Sequence, residues 1–181
     1  MNHVAKFAVI AVLCSTAYAD KDPRPHSSPD GAFTVINIGD TAQPDHHFQL
    51  RSHDGRVLLS SDSHPPLESG SFATAILWSP DSRFVAFSVR TSGPYIRDTF
   101  IYSTRTGSLL RLPTADDDYQ TTPIRWHDAR TVIVETAAPF GGKATEESAR
   151  SFYQYRRTIR LAESPLRHET LYTSTRTHPT Q

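Results

Sequence analysis

The stretch Leu77-Trp78-Ser79-Pro80-Asp81-Ser82-Arg83-Phe84-Val85-Ala86-Phe87-Ser88-Val89 constrains the fold of this chain more than any other. Apolar and aromatic runs flank Ser79-Pro80-Asp81-Ser82, and those four residues have turn chemistry. Pro80 presets φ at the second turn position, and the Asp81 carboxylate can accept backbone N–H groups just ahead of it. A strand, a tight turn and a second strand follow from the residues alone. Trp78, closing the first run, is expected to bury its ring between neighbouring sheets and to need a partner for its indole N–H.

Related turns lie on either side. Ser28, Ser79 and His127 occupy equivalent positions, at intervals of 51 and 48 residues. Each precedes strand-forming residues: Phe33-Thr34-Val35, Phe84-Val85-Ala86-Phe87 and Thr131-Val132-Ile133-Val134. Two of the turns follow a tryptophan, Trp78 and Trp126. In the first two units a hairpin comes next, turning at His53-Asp54-Gly55 and at Thr104-Arg105-Thr106-Gly107, where glycine supplies the positive φ. Strands are expected over 33–38, 47–52, 56–61, 72–78, 83–90, 99–103, 108–112, 123–127, 131–136, 151–161 and 169–173. The first unit leaves no room for a strand ahead of its turn. A period near fifty with four strands per unit is the sequence form of a propeller blade.

Trp78-Ser79-Pro80-Asp81-Ser82-Arg83-Phe84-Val85-Ala86-Phe87, followed by Phe100-Ile101-Tyr102 and Arg105-Thr106-Gly107, resembles the Pro-Asp variety of WD-like β-propeller repeat. That repeat builds the propeller of TolB-family periplasmic proteins and the propeller domain of prolyl-oligopeptidase-type enzymes. The second unit matches well. The first keeps Ser28-Pro29-Asp30-Gly31, and the third has His127-Asp128 in place of Ser-Pro-Asp. The resemblance implies a fold and is nearly silent on function. A closed propeller needs about four blades or more, and this chain supplies three. The expectation is all-β: antiparallel four-stranded blade-like sheets in an incomplete or open β-propeller-like array, with a β-sandwich as the alternative.

Composition narrows the class. The chain has 181 residues, 37% of them hydrophobic, and proline (13) outnumbers glycine (8), which fits a turn-rich β domain. Nineteen basic residues balance nineteen acidic ones, so neither a nucleic-acid partner nor a polybasic membrane anchor is expected. Arginine far outnumbers lysine, which suits planar pairing or reflects a GC-rich genome. At the N-terminus, Lys6, the apolar run Phe7 to Leu13 and Ala17-Tyr18-Ala19 match a secretory signal peptide, too short in its apolar part to span a bilayer. Cleavage near Ala19 removes Cys14, the only cysteine, and leaves no membrane span. The organisation expected is a signal peptide over 1–19, an exposed lead-in over 20–29, a single blade-repeat domain over 30–175 and a polar tail over 176–181.

Antiparallel meanders place the short turns on one face and the long connections on the other. The long set comprises 39–46, 61–71, 91–98, 113–122 and 137–150, and long loops on a rigid scaffold are where binding sits. That face gathers His46, His64, Tyr95, Asp116, Asp117, Asp118, Tyr119, Phe140, Glu146 and Glu147, aromatic residues beside charges, as protein-recognition surfaces have. Trp78, Pro80, Asp81 and Trp126 are read as structural.

Other chemistry is thin. His46 and His47 are adjacent on a strand and point to opposite faces, so they do not share an ion. The acidic triplet Asp116 to Asp118 lacks the spacing and glycine of a helix-loop-helix calcium site. Gly-x-Ser-x-Gly, Ser-x-x-Lys and His-Glu-x-x-His are absent. No metal, cofactor or catalytic residue is expected. The reading is an exported, periplasmic or secreted, non-enzymatic module that binds an envelope or secreted protein, with self-association as a means of covering sheet edges. One alternative is a periplasmic inhibitor or immunity protein of an envelope-targeted enzyme. Another is a hydrolase or ligand-binding protein whose site carries no motif.

Overall fold

The computed structural model describes residues 25–39, 46–65, 67, 70–90, 97–112, 120–137 and 153–177. These hold twelve strands: β1 (His26–Ser27), β2 (Phe33–Ile38), β3 (His47–Ser52), β4 (Val57–Ser60), β5 (Phe72–Trp78), β6 (Phe84–Arg90), β7 (Arg97–Ser103), β8 (Leu109–Arg111), β9 (Gln120–Trp126), β10 (Thr131–Ala137), β11 (Tyr153–Glu163) and β12 (Leu166–Thr177). They pair into three four-stranded antiparallel sheets, β1-β2-β3-β4, β5-β6-β7-β8 and β9-β10-β11-β12. No helix occurs among the described residues.

The middle sheet is buried on both sides, which is why β6 reads as a near-continuous apolar run. Val85, Phe87 and Val89 face the first sheet, in a core with Val35, Phe48, Leu50 and Leu59. Phe84 and Ala86 face the third, in a core with Ile101, Val132, Val134, Ile159 and Leu161. Each fully buried Phe, Leu, Ile or Val stabilises by about 1.5–3 kcal/mol. The fold is therefore two apolar seams between three sheets.

One device locks both seams. Trp78 stacks on Phe33, with ring centroids 6.1 Å apart, and its Nε1 donates to the His26 carbonyl at 3.0 Å. Trp126 stacks on Phe84, also at 6.1 Å, and donates to the Leu77 carbonyl at 3.1 Å. His26 and Leu77 each stand two residues before the turn serine, so the same atom accepts in both units. Trp78 is half-buried rather than enclosed.

The turns repeat as closely. Ser28 Oγ donates to Asp30 Oδ1 at 2.6 Å while accepting from Phe33 N at 3.0 Å, and Asp30 Oδ1 accepts from Ala32 N at 3.0 Å. Ser79, Asp81, Arg83 and Phe84 reproduce these bonds at 2.8, 3.0 and 3.2 Å. The third turn is one residue shorter. There Asp128 Oδ1 accepts from Arg130 N at 2.7 Å, and His127 N donates to the Thr131 carbonyl at 2.7 Å.

Two expectations need correcting. An opening strand does precede the first turn: β1 pairs His26 with Val35 and Ser27 with Thr34. Two residues suffice because the Ser28 turn and the Trp78 bond hold them. The last strand, expected over 169–173, runs Leu166–Thr177 and pairs with β11 throughout, with an irregularity between Thr158 and Ile159. It is an edge strand rich in Thr, Ser and Arg, so no apolar alternation marks its extent.

Candidate functional site

Strand direction assigns every connection to an end of the stack. The β1–β2, β3–β4, β5–β6, β7–β8, β9–β10 and β11–β12 turns gather at one end, and the connections that begin and end at the opposite rim are the long ones.

The turn end is closed by its own hydrogen bonds. Asp30 N donates to Ser82 Oγ at 3.2 Å, and Thr104 Oγ1 donates to the Ser82 carbonyl at 3.1 Å. Glu163 links the last two sheets: Oε2 meets Arg83 Nη2 and, at 3.5 Å, Arg105 Nη1, while Ser103 Oγ donates to Oε1 at 3.1 Å. Trp78, Pro80, Asp81 and Trp126 belong to this end and to the seams, a structural role.

At the long-loop end, His46 and His64 are the candidates that fall within the described residues. Tyr95, Asp116, Asp117, Asp118, Tyr119, Phe140, Glu146 and Glu147 lie outside them. His46 packs edge-on against Phe72, with ring centroids 5.6 Å apart. Gly39 makes that approach feasible: at φ +86°, an added Cβ would sit 3.1 Å from His46 Cα. His64 is half-buried, and its carbonyl accepts from Leu67 N at 2.9 Å. His47 turns to the other face of the first sheet, where its Nδ1 lies 3.3 Å from Asp62 Oδ2 and its Nε2 3.2 Å from Gln49 Nε2. The structure thus does not bring His46 and His47 together. Among the described residues no group of three His, Cys, Asp or Glu could hold a metal ion.

What the candidate residues miss is the polar lining of the seams at this rim. In the first seam, Asn37 closes its neighbour from both sides, with Nδ2 donating to the Ala73 carbonyl and Oδ1 accepting from Ala73 N, both at 2.9 Å. The equivalent position in the second seam is Ser88, and its shorter side chain makes one bond, to the Thr121 carbonyl at 3.1 Å. Thr99 N donates to Thr121 Oγ1 at 2.7 Å. Thr121 stands opposite Thr136 on the ladder, and Arg157 stands opposite Val134. Ser88, Thr99, Thr121, Thr136 and Arg157 therefore fall on one polar patch above the apolar core.

Part of its hydrogen-bonding capacity is unspent. Thr99 Oγ1, Thr136 Oγ1 and the Nε and Nη2 of Arg157 are buried without partners, as is Ser71 Oγ at the same rim of the first seam. Native interiors leave few such groups, and each is accounted for by strain, an ordered water or ion, or a site. Burial pulls the Arg157 guanidinium down from its ordinary value. His168 is held below its usual value, first by burial and then by the charge of Arg157. One signal in the sequence points here: alternation with Ile159 and Leu161 puts Arg157 on the inward face of its strand.

No family model matches the sequence, and no curated protein matches it. Solved structures do resemble the fold. The β-propeller domain of the trilobed protease from Pyrococcus furiosus, with an open velcro topology, aligns at a TM-score of 0.48 and 12% identity over 82% of this chain and 42% of that one. Hydrazine synthase from Kuenenia stuttgartiensis aligns at 0.45 and 13%, over 80% of this chain and 40% of that one. A TolB-like protein from Agrobacterium tumefaciens aligns at 0.40 and 14%, over 82% and 64%. The chain spans less than two thirds of the length of each, and the likenesses concern the fold alone.

Proposed function

We propose that this chain is an exported, non-enzymatic binding module of the cell envelope, and that it meets a protein partner through the long-loop end of its three-sheet stack. The observation that carries the proposal is an asymmetry. The turn end satisfies its polar groups internally, whereas every buried side-chain donor or acceptor without a partner, among the described residues, lies in the loop-end half. A rigid scaffold that leaves polar groups unpaired at one rim is prepared for an incoming surface. Export is supported by Lys6, the apolar run 7–13 and the Ala17-Tyr18-Ala19 motif. Among the described residues no helix is long and apolar enough to cross a membrane.

Capture from envelope extract, paired with an ester and peptide turnover screen, tests this reading. The expected result is a saturable protein partner and no turnover. Turnover without any partner would place the chain among the hydrolases instead.

A further inference from the structure

The β11 residue Arg157 is difficult to account for as a structural group. Its strand neighbours Ile159 and Leu161, and its ladder partner Val134, belong to the apolar core between the second and third sheets. A guanidinium stays charged in proteins, and an uncompensated charge at such a place destabilises the fold. The other arginines with described ion pairs have carboxylates: Arg83 and Arg105 share Glu163, Arg111 meets Asp98 at 2.8 Å, and Arg156 meets Glu135 at 2.9 Å. Arg157 keeps Nε and Nη2, two donors of its planar fork, buried and unbonded. Nearby, Thr99 Oγ1 and Thr136 Oγ1 are unpaired hydroxyls. His168 feels the charge of Arg157 and adds no negative charge of its own.

We infer that Arg157 is a carboxylate-recognition group, which receives an Asp or Glu side chain from an acidic segment of a protein partner entering the second seam from the long-loop end. The Nε/Nη2 edge suits bidentate pairing with a carboxylate. The threonine hydroxyls can donate to the remaining lone pairs, as a buried carboxylate requires. This inference rests on the reading that the loop end binds protein.

The test uses the full chain and an N-acetylated hexaglutamate amide peptide, with hexaglutamine as the uncharged control. Calorimetric titration is expected to show hexaglutamate binding, an affinity loss of about tenfold or more in Arg157→Gln, a partial loss in Arg157→Lys, and little change in Arg160→Gln. Arg160 is exposed on the opposite face of the same strand, so an equal loss there would reveal general charge attraction and overturn the inference. Acetate or phosphate binding as tightly as the peptide would overturn it too. So would peptide binding seen only after Asp116, Asp117 and Asp118 are changed to Asn, since the chain would then be filling its own site.

Stability gives an independent readout. Arg157→Met should raise the melting temperature without peptide, because a half-buried guanidinium with two enclosed, unbonded nitrogens is exchanged for an apolar stem. A fall would mean that the guanidinium is paired internally. An envelope partner captured equally by the wild type and Arg157→Gln would sink this inference and leave the binding-module reading standing. Hexaglutamate binding at Arg157 with no envelope partner at all would do the reverse.

Discussion

Ala75 and Ser82 hold backbone angles that L-residues avoid, with φ of 49° and 58°. Their reasons differ. Ser82 stands where the first turn has Gly31, at φ 71°, and its buried hydroxyl accepts the Asp30 amide of the neighbouring turn. A left-handed serine costs about 1 kcal/mol, and the bond between turns offsets a similar amount. Ala75 is exposed in the irregular part of β5 between Thr74 and Leu77. Ala75→Gly should therefore stabilise the fold by about 0.5 kcal/mol, read as a higher urea midpoint. An unchanged or lower midpoint would show that the angle costs nothing. The turn aspartates make a pH prediction. Asp30, Asp54 and Asp128 are held below the ordinary value of 3.8, chiefly by the Ser28 hydroxyl, the Ser52 hydroxyl and the Arg130 amide respectively. A depressed carboxyl binds protons less tightly when folded, so its contribution is complete above the unfolded value and disappears as pH falls through the folded one. The urea midpoint should be level from about pH 7 to 5 and fall below about pH 4. Replacing all three with Asn should flatten that acid limb.

At the scale of strands and seams, the tryptophan lock is the element that makes separate sheets into neighbours. Trp78→Phe keeps the ring stacked on Phe33 and loses the bond to the His26 carbonyl, an expected cost of about 1 kcal/mol. Trp78→Ala loses both, and should cost about 2–4 kcal/mol, toward the lower side for a buried aromatic because the ring is half-exposed. Equal costs for the two variants, in chemical denaturation, would mean that the stack contributes nothing. This element was legible in the sequence through recurrence: Ser79-Pro80-Asp81 and Trp78 imply a tied turn and a ring set between sheets, although the ring is only half-buried. What lay beyond reach depended on tertiary partners. The two residues of β1 carry no strand signal and exist because Trp78 and the Ser28 turn hold them. The strand expected from Pro123 begins three residues earlier, at Gln120, and the proline is tolerated inside β9 because that strand is an edge with an irregular register there. The polar patch of the second seam was legible only in the inward position of Arg157, for a different reason. Thr99, Thr136 and Arg157 are ordinary strand residues one by one, and only the failure of their atoms to find partners in the assembled seam sets them apart. His46 and His64 were legible as loop-end residues, but not their roles: one packs on Phe72 and the other ties a turn.

The molecule as a whole is an open stack whose outer faces differ from its seams. On the outside of the first sheet, Arg51 Nε and Nη2 donate to Gln49 Oε1 at 2.9 and 2.7 Å, beside the His47–Asp62 pair. On the outside of the third, Thr131, Ile133 and Glu135 stand where the middle sheet has Phe84, Ala86 and Ser88. Glu135 is paired there with Arg156. The outside of the third sheet is mixed, since Ile133 shares that face with Glu135 and the edge strand exposes Leu171 and Tyr172, and charges such as Glu135 and Arg156 are what stacked repeats use to end an array. The third sheet is then held through the second seam, and Trp126 is its lock. Trp126→Ala should separate the unfolding of the third sheet from the rest, so that circular dichroism and tryptophan fluorescence no longer coincide along a urea gradient. Coincident transitions would show that the seam survives without the lock. Whether one rim recognises while the other holds the stack together is read from capture from envelope extract with two variants compared side by side. One carries Tyr95→Ala, Tyr119→Ala and Phe140→Ala in the long connections, and the other carries His53→Ala, Arg105→Ala and Arg130→Ala at the short turns. The first should lose the wild-type partner and the second should retain it; retention by the first with loss by the second would reverse the roles of the two rims.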